Sequence, residues 1–369
     1  MRTVVSVARE TVELVHKDNI KQFLFAVVDH PLELGTIGCF GRHNSRTSRK
    51  PNTYLIDRYG LGNGWRFGFS SIEKDGLRTT LHCADGSTYV VTSWTGIQAN
   101  FVSYDLGDKI LQESNKNNFN NGDFDAHYTL TYADGKCEYF SSTGKLIGIQ
   151  DRFGNTITLR YNEYIGVITI TDTLNREVII SQKEWADKTG HTVTVALPDG
   201  KKLTYEVTNY DSGSALSAYT DAVGNTTHYS YAANSADFNV LERKTEDGDT
   251  NIYLTLTTIT HPTKAQTKYT YEKSKRNLGT DGQMEVYRIT AREDTVGNVS
   301  CNRLAFTYSE NDYTGYPEAP DKITDSFTYY ATVTDSTGVK TTTTFNRDHT
   351  PYQIIVSNGG KTVQETLYE

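Results

Sequence analysis

The sequence predicts an all-β protein built from repeated β-hairpins. Its 369 residues include 52 Thr, 25 Tyr and 29 Gly but only 7 Pro and 2 Met, so residues that suit a pleated strand outnumber helix-forming material. The turn signal Asp-x-x-Gly-Asn begins at Asp151, Asp221 and Asp294, and apolar and polar residues alternate after it. These observations exclude a helical bundle.

The segments after the turn signals have the period of two that a strand requires. After Asn155, the residues Ile157, Leu159 and Tyr161 share one face, and Thr227, Tyr229 and Tyr231 do the same after Asn225. Weaker turn signals start at or include Asp134, Asp172, Asp199, His261 and Asp335. A unit of about 20 residues therefore holds two strands and two turns, and neighbouring hairpins must pack together because one hairpin alone is marginally stable.

Gly and Asn tolerate a positive φ, and Asp hydrogen-bonds the backbone of its own turn, which favours hairpin connections at the pentapeptides. Alternation is pervasive from about residue 130 and weak before it. Residues 1–40 have no assigned structure, because 4–24 fit an amphipathic helix and a strand about equally. We predict surface loops at 115–125, 209–217, 234–251 and 311–321, where polar residues, Gly and Asn concentrate.

Charge and hydropathy exclude several partners. The net charge is −8 and the pI is about 5.6, whereas a nucleic-acid binder concentrates basic residues on one face. The apolar stretch 23–28 has six residues, and a membrane span needs about 20. Arg9 and Glu10 interrupt the first apolar stretch before a signal peptide can form. We therefore expect no nucleic acid, no membrane span and no signal peptide.

No motif in the chain predicts catalysis, a cofactor or a metal site. The nine His residues are scattered, and no Gly-x-Ser-x-Gly elbow is present. The glycines at 60, 62 and 64 invite comparison with a phosphate-binding loop, but Phe67 stands where the third glycine belongs, so a structural turn beside Trp65 is favoured. Two carboxylates brought together by folding, as in a glycoside hydrolase, remain an open alternative.

Two acidic or Asn-rich segments are candidates for cation sites. An EF-hand alignment of the Asn-rich loop puts Phe119 and Tyr128 at positions that need ligand oxygens, which argues against calcium. The acidic segment 246–249 is interpreted as a solvated loop. Cys39, Cys83, Cys137 and Cys301 are 44, 54 and 164 residues apart without a Cys-x-x-Cys pair, so we expect partly buried thiols, with disulfides left open.

Two segments resemble the repeats of the Rhs/YD-repeat family. Residues 220–231, Thr-Asp-Ala-Val-Gly-Asn-Thr-Thr-His-Tyr-Ser-Tyr, are similar to the second half of such a repeat, and residues 150–161 are a second near match. Upstream, the segment 43–46 followed by Gly-Leu-Gly-Asn-Gly-Trp-Arg at 60–66 resembles the region that precedes the repeats in bacterial Rhs and wall-associated proteins. The resemblance covers residues 41–369.

The resemblance implies an irregular N-terminal β region at 41–130 and a YD-repeat array at 131–369 that forms a curved or spiralling sheet, a partial shell. The Asp that should follow the strand-end Tyr is replaced by Asn162, Ala232, Glu272 and Ser309. No toxin module follows, so the resemblance implies a shell fragment or truncated member whose partners are a C-terminal toxin cargo or further repeats. It also implies a secreted or cell-surface location.

We therefore expect a non-enzymatic structural or encapsulating segment. The alternative is a carbohydrate- or protein-binding module, in which exposed Tyr and Trp on Thr-rich sheet faces stack on sugar rings; against it, most Tyr residues are expected to pack between strands. A glycan-active enzyme is a third class. The last strand leaves an open edge, which predicts association between chains unless a partner covers it.

Overall fold

The predicted all-β hairpin array is confirmed. The computed structural model describes residues 60–368, except 63–64, 66, 76–77, 103, 105, 114–118, 163–165, 211–212, 237–250, 278–282, 310–323, 325 and 347–350. These residues contain 23 strands and no helix. Each strand pairing found among them is antiparallel, and the described part of the chain has no helix of the length and apolarity that a membrane crossing needs.

The chain divides into two compact units near residue 225. The first unit holds the strands Ser71–Asp75 (β1), Arg78–His82 (β2), Thr88–Thr95 (β3), Gln98–Phe101 (β4), Lys109–Glu113 (β5), Tyr128–Tyr132 (β6), Cys137–Phe140 (β7), Leu146–Gln150 (β8), Thr156–Asn162 (β9), Val167–Thr171 (β10), Glu177–Glu184 (β11), Gly190–Ala196 (β12), Lys202–Tyr210 (β13) and Gly213–Thr220 (β14), apart from single terminal residues of the last two.

Each strand of the first unit from β1 to β13 pairs with the next one along the chain. β14 returns beside β13, because the Ser217 hydroxyl donates to the Glu206 carbonyl oxygen at 3.0 Å and the Ser214 hydroxyl donates to Asn209 Oδ1 at 2.9 Å. The connectivity is therefore that of successive hairpins, as the alternating sequence predicts.

One turn geometry recurs at the hairpin corners. In the corner after β8, Gly154 N donates to Asp151 O at 3.1 Å and Asp151 N donates to Asn155 O at 3.0 Å, while Gly154 has a φ of 89°. This is a type I turn closed by a left-handed residue. The left-handed residues of the equivalent corners are Gly86, Gly135, Gly144, Asn175, Lys188, Gly200, Gly224, Lys264 and Gly338.

The Asp side chain stabilises these corners from within. Asp221 Oδ1 accepts hydrogen bonds from Val223 N at 2.9 Å and Asn225 N at 2.8 Å, and Asp221 Oδ2 accepts one from Asn225 Nδ2 at 2.9 Å. Burial opposes ionisation of Asp221, but these hydrogen bonds outweigh it and lower the pKa of the carboxyl group. The Gly-Asn corners at 151–155 and 221–225 therefore act as predicted.

At the third pentapeptide, 294–298, the predicted corner is displaced. The sequence predicts a corner that opens at Asp294, but this residue lies within the strand Gln283–Val296 and pairs with Thr267 on one neighbour and Asn302 on the other. The chain turns at Gly297 and Asn298, with φ at 59° for Gly297. Val296 pairs directly with Val299 in this tight two-residue connection, so the turn needs no Asp side chain to cap it. Asp294 therefore takes part in strand pairing instead.

The first unit curls so that β1 meets the corner between β7 and β8. Ile72 N donates to Gly144 O at 2.9 Å, and Ser71 forms an isolated bridge with Lys145. The apolar faces of the strands thereby enclose a core in which Leu81, Leu111, Leu130, Leu159, Ile170, Val178, Ile180, Val193, Val195, Leu203, Val207 and Leu216 are fully buried. This core is continuous along the consecutive hairpins.

The second unit holds the strands Thr226–Ala236 (β15), Asn251–Thr260 (β16), Gln266–Asn277 (β17), Gln283–Val296 (β18), Val299–Tyr308 (β19), Thr328–Thr334 (β20), Lys340–Asn346 (β21), Pro351–Asn358 (β22) and Lys361–Leu367 (β23). Consecutive strands again pair antiparallel. Among the residues that the structure describes there, the buried apolar side chains are fewer than in the first unit and mostly aromatic: Tyr229, Ile259, Tyr269, Ile289 and Tyr329.

Two predicted loops are wrong in part. Residues 209–217 belong largely to β13 and β14, because Ser214 and Ser217 hydrogen-bond to β13 and so fit within a strand despite their polarity. β15 likewise continues to Ala236. The remainder of the 234–251 loop up to 250, the 311–321 loop and residues 1–59 lie outside the described residues, and the predicted boundary at residue 130 stays a prediction.

Candidate functional site

The glycine-rich segment at 60–65 is a packing element. Gly62 has a φ of 86°, and Trp65 N donates to its carbonyl oxygen at 3.1 Å. A Cβ on Gly62 would lie 2.5 Å from Ala215 Cα, so only glycine permits this approach to β14. Leu61 is fully buried and Trp65 is 8% exposed. The segment is therefore a structural turn, as the sequence favoured.

Residues on either side of this turn continue the packing onto β12 and β13. The Phe67 ring meets the Tyr205 ring edge-on at 5.9 Å, and His191 Nε2 lies 3.3 Å from Gly60 O. Burial lowers the pKa of His191, which outweighs the opposite effect of the Gly60 carbonyl and Glu184. This histidine therefore packs within the first unit.

The Asn-rich loop at 119–126 is anchored to the strands, and its predicted surface character is wrong for one residue. Asn121 is 3% exposed. Its Nδ2 donates to Leu159 O at 2.5 Å, and its Oδ1 accepts from Asp123 N at 2.9 Å and Phe124 N at 2.8 Å. Arg160 Nε also donates to Asn121 O at 2.6 Å. A buried asparagine thus shapes the loop, and residues 114–118 lie outside the described part.

The two residues that argued against an EF-hand have packing roles. Phe119 stacks face-to-face on Tyr139, with ring centroids 4.2 Å apart and planes at 1°. Tyr128 is fully buried, and its hydroxyl donates to Glu113 Oε1 at 3.3 Å. Among the described residues no group of three or more His, Cys, Asp or Glu side chains is placed to hold a metal ion. The acidic segment 246–249 lies outside those residues.

The anchored loop forms one wall of a pocket of about 350 Å³, close to the lower size for small-ligand sites. Its lining combines carboxylates, an aromatic ring and hydroxyls, contributed by Asp123, Phe124, Asp125, Ala126, His127, Ser141 and Ser142. Phe124 is 40% exposed. His127 Nε2 lies 2.9 Å from Glu113 Oε1, so Glu113 fixes the position of the imidazole ring. The pocket offers hydrogen-bond acceptors and one apolar surface, and it was not predicted.

A second cluster that sequence reasoning missed is a buried ion pair beside the β6–β7 corner. Glu138 is 1% exposed, and its Oε1 lies 2.7 Å from Lys136 Nζ. The Tyr132 hydroxyl donates to Glu138 Oε2 at 3.2 Å. Burial, followed by the charge of Glu138, raises the pKa of Tyr132 far above its usual range. The alternation that puts Glu138 on the same face as Phe140 was the available signal.

The same cluster contains a second, partly exposed ammonium group. Lys109 Nζ lies 2.8 Å from Asp108 Oδ2, 5.4 Å from the Tyr89 ring centroid and 5.9 Å from that of Tyr132. Lys136 Nζ is 4.6 Å from the Tyr132 centroid. The ammonium groups of Lys109 and Lys136 therefore lie over the faces of these tyrosine rings. The arrangement stabilises the fold and leaves no empty cage for a ligand cation.

The three described cysteines form no disulfide and differ in exposure. Cys83 is buried, Cys137 is partly buried and Cys301 is exposed, so the expectation of partly buried thiols holds for Cys137 alone. Burial raises the pKa of Cys83 to about 11, which disfavours the reactive thiolate. Cys39 lies outside the described residues.

Tyr229, which the sequence places on one strand face with Thr227 and Tyr231, is only 6% exposed, as is Tyr269. Among the described residues of the second unit, the exposed tyrosines are Tyr210 at 36%, Tyr330 at 46%, Tyr352 at 49% and Tyr368 at 46%. Tyr229 and Tyr269 therefore pack against neighbouring strands, whereas Tyr330 in the middle of β20 does not, and a sugar-stacking tyrosine would have to be one of the exposed ones.

Comparison with known proteins adds little. No protein-family model matches the chain, and neither does any curated protein. Among solved structures, the crystal structure of TcdB2-TccC3-Cdc42 aligns with 81% of this chain and 19% of that chain, at 8% identity and a TM-score of 0.18. TcdB2-TccC3 without its hypervariable C-terminal region aligns with 79% of this chain and 20% of that chain, at 11% identity and a TM-score of 0.17. The chain thus spans about a fifth of each, and these scores are too low to establish a shared fold.

Proposed function

We propose that this chain is a non-enzymatic structural segment, a length of wall in a larger Rhs/YD-type assembly that encloses a cargo. The observation that carries the proposal is the run of consecutive hairpins from β1 to β14 with one continuous buried apolar face. The Rhs-like motifs at 43–66, 150–161 and 220–231 support the family assignment. Secretion or display at a cell surface follows from the same assignment.

The arrangement of polar groups favours a structural role over catalysis. The buried charges of the first unit are paired within it, as in Lys136 with Glu138, and the corner carboxylates accept hydrogen bonds from their own turns. These charged groups stabilise the hairpins. An enzyme needs acids and bases directed at a substrate in a cleft.

Sequencing the source DNA beyond codon 369 tests the encapsulating role. If the reading frame continues, the longer protein is expressed, and the protease sensitivity of its downstream segment is compared with that of the same segment expressed alone. Enclosure predicts much slower digestion in the long form. Equal digestion rates, or a stop codon directly after Glu369, would contradict a wall that surrounds its own C-terminal cargo.

The second candidate function is carbohydrate binding, and the pocket at Phe124 favours it. Aromatic rings stack on the apolar face of a sugar while carboxylates accept its hydroxyl hydrogens. Glycan-array screening of the purified chain, repeated with Phe124→Ala and with Phe153→Ala as a matched exposed-Phe control, tests this candidate. Loss of a signal only with Phe124→Ala supports it, and the absence of any glycan signal rules against it.

A further inference from the structure

Three strand-end tyrosines of the repeat-like segments make the same kind of hydrogen bond. In each case the hydroxyl donates to a backbone carbonyl oxygen on the strand that precedes the tyrosine's own strand along the chain. The pairs are Tyr161 of β9 with Leu146 O of β8, Tyr271 of β17 with Leu256 O of β16 at 2.9 Å, and Tyr308 of β19 with Ile289 O of β18 at 2.7 Å.

The accepting carbonyl always comes directly before a β-bulge. In β8 the extra residue is Ile147, which follows Leu146 and has no partner between the pairs that β7 forms. The extra residue is Thr257 in β16 and Thr290 in β18, again directly after the acceptor. A bulge disrupts the hydrogen-bond ladder locally, and a carbonyl oxygen left without a donor away from water is costly. The tyrosine hydroxyl supplies that donor.

The same positions are forks, points at which two consecutive strands stop pairing. β9 pairs with β8 only at 148–150, and β17 pairs with β16 only at 258–260. β19 pairs with β18 only at 291–296. Among the described residues, each of these ladders therefore stops two residues short of the accepting carbonyl. The tyrosine crosses the gap that backbone pairing leaves open.

The residue after each tyrosine has no common task, although the family resemblance expects an Asp there. Glu272 Oε1 accepts a hydrogen bond from Arg288 Nε at 2.7 Å. Ser309 Oγ accepts one from Tyr330 N at 3.1 Å, whereas Asn162 is exposed. The contact made by the tyrosine is thus the same at three forks at which the Asp is replaced by three different residues.

Burial and charge hold the three rings in place. All three tyrosines are half-buried, and burial raises the pKa of Tyr271 well above its ordinary value of 10.0, which keeps its hydroxyl a donor at neutral pH. At two forks a cation from the residue before the acceptor lies over the ring. Lys145 Nζ is 5.7 Å from the Tyr161 centroid, and the guanidinium carbon of Arg288 is 4.6 Å from the Tyr308 centroid.

We propose that the strand-end tyrosine closes each fork, because its hydroxyl replaces the missing ladder bond at the bulge and holds one hairpin against the next. A phenylalanine would fill the same space but leave the carbonyl oxygen without this donor. The tyrosine, rather than the Asp that names the repeat with it, is then the residue that joins the hairpins. This role holds whether or not the array encloses a cargo.

Hydrogen exchange of the full chain, resolved by mass spectrometry of its peptides, tests the proposal. Tyr271→Phe should raise the exchange rate of the amides at 254–258 about tenfold, which corresponds to local opening that costs about 1.4 kcal/mol less. Tyr308→Phe should have the same effect at 287–291. Each effect should be confined to its own fork, so each variant serves as a control for the other.

Tyr269→Phe is the matched control on the same strand as Tyr271. The Tyr269 side chain is 6% exposed, and its hydroxyl has no hydrogen-bond partner among the described residues. Its removal should leave exchange at both forks unchanged. Circular dichroism verifies that the three variants fold. Unchanged exchange at either fork in its own variant, a rise spread evenly along the chain, or an equal rise with Tyr269→Phe overturns the proposal.

Discussion

Replacing Gly144 with alanine should destabilise the first unit far more than the same change at Gly154. Both glycines close a corner of the same geometry, with φ angles of 82° and 89°. Their surroundings differ, because a Cβ at Gly144 would lie 1.8 Å from Ile72 O, whereas nothing lies within 4 Å of a Cβ at Gly154. The pair therefore separates backbone strain from the contact with β1.

The magnitude follows from these two contributions. A left-handed alanine costs about 1–2 kcal/mol at either position. At Gly144 the clash also pushes β1 outward, which breaks the 2.9 Å hydrogen bond from Ile72 N and exposes a side chain that is 4% accessible. A lost buried hydrogen bond with partial unpacking adds about 2–3 kcal/mol. We expect about 1–2 kcal/mol for Gly154→Ala and about 3–5 kcal/mol for Gly144→Ala.

Urea unfolding followed by circular dichroism and tryptophan fluorescence measures both values by linear extrapolation. Hydrogen exchange at the Ile72 amide gives a local readout, and protection there should fall in Gly144→Ala alone. If the two variants differ by less than about 0.5 kcal/mol in unfolding free energy and Ile72 stays protected in both, β1 does not depend on the close approach to this corner, and the described closure of the unit is incorrect.

Three further predictions concern charge and thiols. Glu138→Gln and Lys136→Met should each lower the unfolding free energy by about 2–4 kcal/mol, because each leaves the other charge without its ion-pair partner. The double variant should lose less than the sum of the two, and additive losses in a double-mutant cycle would refute the pairing. The lowered pKa of Asp221 means that its stabilisation is present above the ordinary value of 3.8 and is lost as pH falls through the lower folded value. Acid titration of stability should therefore drop less steeply below about pH 4 in Asp221→Asn than in the wild type, and parallel curves would contradict this. In variants that retain one cysteine each, maleimide should label Cys301 rapidly in the native state and Cys83 only on unfolding; equal rates would disprove their assigned burial.

Much of the hairpin organisation is predictable because it depends on local chemistry. The corners at Asp151, Asp172 and Asp221 need only residues that cap their own turn and one that tolerates a positive φ, and both are visible in five consecutive letters. Asp294 shows the limit of this signal. There the corner does not open at Asp294, because a tighter turn at Gly297 and Asn298 pairs Val296 with Val299.

The sites are less predictable than the strands because they join residues distant in the chain. Asn121 belongs to a polar stretch typical of a surface loop, yet its side chain is buried through a hydrogen bond to Leu159 O. The charge on Glu138 is retained inside because Lys136 and Tyr132 are held beside it. The partner of Asn121 lies 38 residues away and is evident only once the strands have a register, whereas Lys136 and Tyr132 are close to Glu138 in the chain and only the burial of the cluster depends on the tertiary structure.

The sequence by itself determined the all-β class, the antiparallel hairpins and the position of most corners, since alternation and turn chemistry act over a few residues. Only the tertiary structure decided which tyrosines are buried and where β1 closes onto Gly144. These features depend on strand order and register, which bring together atoms that no local pattern relates.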